Sequence, residues 1–223
     1  MICVSIVEQE IEAALEALKE ASRVAEMAEI RLDALKEPTV EPFLSSTKIP
    51  LLFTYRDPAE GGFSSASLEE RLFWLKEAAK KGAAWVDLEL RAGEKAFSEL
   101  QTVKTTSRLL LSFHDFMDTP PLNELRNIVR EMKGRGADLG KVVTMIKRPE
   151  DNLTILSLIP WARKELDFPV IAFGMGEWGK ISRVAALLLG APFVYASMPA
   201  GKKAAPGQLD ALVLREVLRY LQP

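Results

Sequence analysis

The 223-residue sequence predicts one α/β domain, residues 1–223, folded as a (β/α)8 TIM barrel with a parallel eight-stranded sheet. Two observations point there. Short β-branched or apolar runs alternate with amphipathic stretches along the whole chain, and eight such repeats fit into little more than 200 residues. No linker, low-complexity segment or change of composition divides them. An open doubly wound sheet shares this rhythm, because continuously apolar strands suit either architecture.

The first run, 2-ICVSI-6, is followed by 8-EQEIEAALEALKEA-21, whose apolar residues recur at helical spacing. Strands are then read at 28-AEIRL-32 and 51-LLFTY-55, before the amphipathic 66-ASLEERLFWLKEAAKKG-82. The next pairs are 84-AWVDLEL-90 with 93-GEKAFSELQTV-103, and 108-RLLLSF-113 with 122-LNELRNIVREMKG-134. Strand 138-DLGKVVTM-145 precedes a helical pattern at 150-EDNLTILSLIPWARKE-165, and 168-FPVIAF-173 precedes 179-GKISRVAALLLG-190. The last strand, 193-FVYA-196, leads to 208-QLDALVLREVLRYLQ-222.

Composition excludes several classes. The 29 basic and 31 acidic side chains leave a net charge of -2, which gives no footprint for nucleic acid. The apolar run 184-VAALLLGAPFVYA-196 is short and broken by Gly and Pro, so no membrane span is expected, and the location expected is cytoplasmic. Cys3 is the sole cysteine and His114 the sole histidine, which removes disulfides and the usual zinc ligand sets. Any metal would need carboxylates, and neither a metal nor another cofactor is expected.

The reactive face of such a barrel lies at the C-terminal ends of its strands, so polar residues there are candidates. They are Ser5, the alternation Glu29/Arg31/Asp33, Arg56 with Glu60, Asp87/Glu89, His114, Lys141 and the loop 174-GMGEWG-179. Residues two apart on a strand share a face, so Glu29, Arg31 and Asp33 must pair with one another or meet a ligand if that face is interior. A histidine ending a strand is often a surface or capping residue, and a strand lysine is often an edge gatekeeper. Inside a closed barrel, however, a desolvated lysine loses basicity and its neutral amine can attack a carbonyl, with His114 one strand away as base. The spacing Gly174-x-Gly176-x-x-Gly179 matches a dinucleotide fingerprint, but it stands near the end of the chain rather than in a first βα turn. Its amides, with Arg183 one turn later, offer instead a seat for a carboxylate or phosphate.

Seven ordered blocks then resemble one family. They are 29-EIRLD-33, 51-LLFTYRDPAEGG-62, 86-VDLEL-90, 112-SFHDF-116, 137-ADLGKVVTM-145, 175-MGEWGKISR-183 and 206-PGQ-208, and together they resemble the type I 3-dehydroquinate dehydratases from end to end. The resemblance implies syn elimination of water from 3-dehydroquinate through a lysine Schiff base, giving 3-dehydroshikimate in the shikimate pathway. It puts the Schiff-base lysine at Lys141, the acid/base histidine at His114 and an assisting glutamate at Glu60. Ser5, Glu29, Arg31, Arg56, Arg183 and Gln208 match positions that hold the substrate, and a homodimer is typical of the family. Asp33, Asp87 and Glu89 read as structural charge networks.

One departure from the pattern falls in the pocket: the family usually has a serine four positions before the glutamine, and 204-AAPGQ-208 has Ala204 there. Two rivals remain at this stage. A class I Schiff-base aldolase would also use a strand lysine, and a non-catalytic ligand-binding relative would keep the pocket without turnover.

Overall fold

The structure, a computed structural model, describes residues 1–103, 106–199 and 204–221. Eight strands form one sheet: β1 (Ile2–Ile6), β2 (Met27–Arg31), β3 (Leu51–Thr54), β4 (Trp85–Glu89), β5 (Arg108–Asp115), β6 (Leu139–Met145), β7 (Val170–Met175) and β8 (Val194–Ala196). Every ladder is parallel, in the order β7-β6-β5-β4-β3-β2-β1-β8. The barrel is therefore nearly closed. Among the described residues no ladder joins β7 to β8, and the seam is bridged by side chains, with the rings of Phe173 and Tyr195 at 6.1 Å.

The helices are α1 (Ile11–Val24), α2 (Glu41–Ser46), α3 (Leu68–Lys80), α4 (Gly93–Val103), α5 (Leu122–Gly134), α6 (Asp151–Leu156), α7 (Leu158–Leu166), α8 (Lys180–Leu188) and α9 (Ala211–Leu221). The longer ones cover the sheet with an apolar stripe. In α1 the stripe is Ala14, Leu18 and Ala21, and in α5 it is Leu125, Val129 and Met132, all at spacings of three or four. Each leucine so buried contributes roughly 1.5–3 kcal/mol. Ser67 opens α3, its Oγ accepting the Glu70 N–H at 3.2 Å.

Three local differences from the sequence reading have physical causes. The helix expected over 150–165 is split at Ser157 into α6 and α7, because Pro160 has no N–H to continue the first helix. Strand β7 starts at Val170 rather than 168, since Pro169 cannot donate to a ladder; its carbonyl accepts from Gly140 instead. The one-turn-and-a-half α2 lies in a stretch to which the sequence reading assigns no element, since six residues are too few to show a period. Residue 222 of the expected last helix lies outside the described residues.

Candidate active site

Register aims the chemistry inward. Lys141 on β6 pairs with Ser112 on β5, and His114 stands two residues beyond Ser112 on the same face. Glu89 pairs with Ser112 across β4 and β5, which brings Asp87 and Glu89 to that interior face as well. A pocket opens at the strand C-termini, and all nine residues singled out by the resemblance line it: Ser5, Glu29, Arg31, Arg56, Glu60, His114, Lys141, Arg183 and Gln208.

Each charge has a distinct environment. Glu29 accepts from the hydroxyls of Ser5 at 2.7 Å and Thr54 at 2.9 Å, whereas Arg31 forks onto Asp33 through Nε at 2.9 Å and Nη2 at 2.6 Å. Glu29 and Arg31 thus both line the pocket from β2, whereas Asp33 lies in the 3-10 turn Leu32–Ala34 beyond the strand, and the three divide into two hydrogen-bonded groups. Arg56 donates to Asp87, Glu89 and the Ser112 hydroxyl, and Asp87 accepts in turn from Ser112 at 2.6 Å. Asp33, Asp87 and Glu89 are therefore built into charge networks.

Lys141 is 5% exposed, with Nζ 3.6 Å from Asp87 Oδ2. Burial lowers the pKa of its ammonium, and Arg56 and Arg31 add to the effect while Asp87 and Glu29 oppose it. His114 is held well below the ordinary imidazole range, first by burial and then by the nearby positive charges of Arg56 and Lys141. Glu60 Oε2 meets both the His114 backbone N–H and its Nδ1 at 3.0 Å, which leaves Nε2 as the nitrogen free to exchange a proton. The Glu60 carboxyl is pushed up to about 7, chiefly by burial and further by Glu89, with Arg56 and Arg91 opposing. Far from being a solvated loop residue, Glu60 is 3% exposed in a 3-10 turn, Pro58–Glu60.

Arg183 differs from the other cations. Its guanidinium lies 4.4 Å from the Phe173 ring, Nη2 donates to the Pro206 carbonyl at 3.1 Å, and buried Nε has no partner. Among the described residues no carboxylate is paired with it, and burial alone lowers its pKa to about 10. Such a group is poised for an anion.

The glycine-rich loop uses part of its own hydrogen-bonding capacity. Two of its glycine amides are engaged: Gly174 N donates to Ser182 Oγ at 2.7 Å and Gly179 N to the Gly176 carbonyl. A Cβ on Gly179 would lie 2.5 Å from the Gly174 carbonyl, so the two glycines serve a close backbone approach. Gln208 Oε1 accepts the Ala204 N–H at 2.8 Å, so backbone engages the glutamine beside the alanine.

Sequence reasoning missed part of the lining: Phe116, Val143, Phe173, Met175 and Tyr195. They carry no polar interruption of an apolar run, which was the signal followed. At the mouth Phe116 packs on Gly61, where φ is +86° and an added Cβ would come within 2.6 Å of the ring.

Among the described residues no cluster of three or more His, Cys, Asp or Glu could hold a metal ion, and no helix is long and apolar enough to cross a membrane.

A nearly closed barrel with a buried amine and a buried imidazole at its C-terminal mouth defines a (β/α)8 protein with the apparatus for carbonyl chemistry. The chain belongs to the type I 3-dehydroquinase family, whose model matches residues 2–223. A 3-dehydroquinate dehydratase from Desulfotalea psychrophila is 38% identical over 98% of this chain and 97% of its own length. Among solved structures, the 3-dehydroquinate dehydratase of Geobacillus kaustophilus superposes with a TM-score of 0.92 at 30% identity, covering 99% of this chain and 90% of that one. The type I enzyme of Clostridium difficile, solved with covalently modified comenic acid, gives 0.89 at 28% identity over 99% and 91%.

Proposed function

We propose that Lys141, His114 and Glu60 carry out the family's reaction in this chain, the dehydration of 3-dehydroquinate to 3-dehydroshikimate within the shikimate pathway. The observation that supports this most is the convergence in one pocket of buried Lys141 and the His114–Glu60 pair.

The neutral Lys141 amine attacks the C3 ketone carbon; a C–N bond forms, the carbonyl oxygen leaves as water, and a protonated imine remains. That cation withdraws electrons and acidifies the C2–H. His114 takes the proton, and the electrons of the C–H bond become an enamine. As the enamine reverts to the imine, the C1–O bond breaks, and His114 returns its proton to the departing oxygen. One base serving both steps from one side gives a syn elimination. Water then adds to the imine, releasing product and free Lys141.

Glu60 holds His114 through Nδ1 and supports the imidazolium while it exists. Arg183, buried in the pocket without a carboxylate partner among the described residues, receives the substrate carboxylate in a fork that lysine could not copy. Ser5, Glu29, Arg31, Arg56 and Gln208 surround the hydroxylated ring, Arg56 chiefly by holding Asp87 and Glu89. One domain spanning the chain carries all of these groups. A homodimer is part of the same proposal, supported by the exposed apolar side chains Ile181 and Leu188 on α8 and Leu212, Val213 and Tyr220 on α9. So is a cytoplasmic location, which suits a lone buried Cys3 without a disulfide.

The test is a 3-dehydroquinate turnover assay on the unaltered chain and on His114→Ala. The unaltered chain is expected to form 3-dehydroshikimate, and the variant to form the imine while eliminating water 10²-fold or more slowly, about the contribution of a general base. Unchanged turnover in the variant would remove His114 from the mechanism.

A further inference from the structure

The imine cation needs a counterpart in a buried site, and the nearest carboxylate is only partly available. Asp87 Oδ2 lies 3.6 Å from Lys141 Nζ, but that same oxygen accepts from Arg56 Nη2, while Oδ1 accepts from Ser112. On another side Lys141 meets an aromatic face: Nζ sits 4.1 Å from the ring centroid of Tyr195 on β8. The ring is clamped there. Phe193 meets it edge-on at 5.4 Å and Phe173 tilts against it at 6.1 Å, so its face is fixed by packing. The Tyr195 hydroxyl is buried and has no hydrogen-bond partner among the described residues, so it is not what holds the ring in place.

Resting on the assignment of Lys141 as the Schiff-base residue, we propose that Tyr195 is a catalytic residue whose ring face stabilises the protonated imine on Lys141 Nζ. The negative face of an aromatic quadrupole attracts a cation most when both are out of water, as here. The attraction is larger for the ammonium-like cation that develops when the carbonyl is lost than for the neutral amine that precedes it. It therefore favours the step that forms the cation, and it needs no proton from the tyrosine. The phenol contributes as a ring, and phenylalanine is expected to replace it.

Tyr195→Phe, followed by phenylalanines carrying one, two and three ring fluorines at position 195, tests this without changing the shape of the core. Fluorine withdraws electrons from the face while leaving the ring in place. Turnover and the amount of ligand reduced onto Lys141 by borohydride are measured across the series. The expected result is near-normal behaviour for Tyr195→Phe and a stepwise fall with each fluorine, reaching about thirtyfold when the attraction is abolished. A flat series in which Lys141 is still labelled overturns the role of Tyr195 and leaves the Schiff base standing. Absence of label on Lys141 in the unaltered chain overturns both.

Discussion

A single oxygen of Glu60, Oε2, lies 3.0 Å from His114 Nδ1 and also accepts the His114 backbone N–H at 3.0 Å, so one carboxylate fixes the histidine's ring and its strand position. Two elements distant in sequence are joined there: the 3-10 turn after β3 and the end of β5. Their titrations run in opposite directions, and this makes the pair testable.

The Glu60 carboxyl is raised to about 7 and the His114 imidazole is lowered well below its ordinary range. Above about pH 7 Glu60 is therefore an anion that accepts from Nδ1–H, and His114 is a neutral base. As pH falls through about 7, Glu60 takes up a proton while His114 remains neutral, and the support for the imidazolium is lost. The pH profile of kcat is expected to decline on that acid side. Glu60→Gln is expected to lower kcat roughly 10- to 100-fold, the usual cost of removing such an orienting partner, and to flatten the limb. A variant that keeps the same limb would assign it to another group.

Arg183 carries the prediction about binding. Its guanidinium is buried and has no carboxylate partner among the described residues, so the substrate carboxylate would be its counter-ion. Arg183→Lys loses the fork, and KM for 3-dehydroquinate is expected to rise by about tenfold or more, consistent with 1.5–3 kcal/mol for a charge-assisted hydrogen bond. Borohydride labelling of Lys141 at saturating substrate is expected to persist. An unchanged KM would place the carboxylate elsewhere.

Ala204 stands where the family usually has serine, and its backbone N–H is already used by Gln208. Ala204→Ser adds a hydroxyl to the pocket wall. If that hydroxyl meets the substrate, KM falls roughly fivefold, the equivalent of about 1 kcal/mol for one neutral hydrogen bond. Steady-state kinetics on this one variant decide the matter, and a KM that stays the same or rises shows that the site has been closed without the contact.

Much of the architecture was legible because each strand is a concentrated apolar run and each helix carries a clear stripe, as in 2-ICVSI-6 and the Ala14, Leu18, Ala21 face of α1. What escaped was set by few residues or by tertiary contact. Six-residue α2 is shorter than two turns, and Pro160 and Pro169 shifted boundaries through missing donors. In the pocket, Lys141 and His114 were visible because charge interrupts an apolar strand there. Tyr195 was not, since an aromatic in 193-FVYA-196 looks like any core residue until the barrel brings its ring against the Lys141 side chain in the interior. In 174-GMGEWG-179 the spacing did not reveal that the Gly174 and Gly179 amides are taken up by Ser182 Oγ and the Gly176 carbonyl.

The central claim is that Lys141 is the amine that bonds to the substrate. Treating the protein with 3-dehydroquinate and sodium borohydride, then mapping peptides by mass spectrometry, tests it most directly. The account predicts one reduced ligand on Lys141 and loss of turnover in proportion to labelling. An adduct on a different residue, or undiminished turnover with no adduct at all, would contradict it.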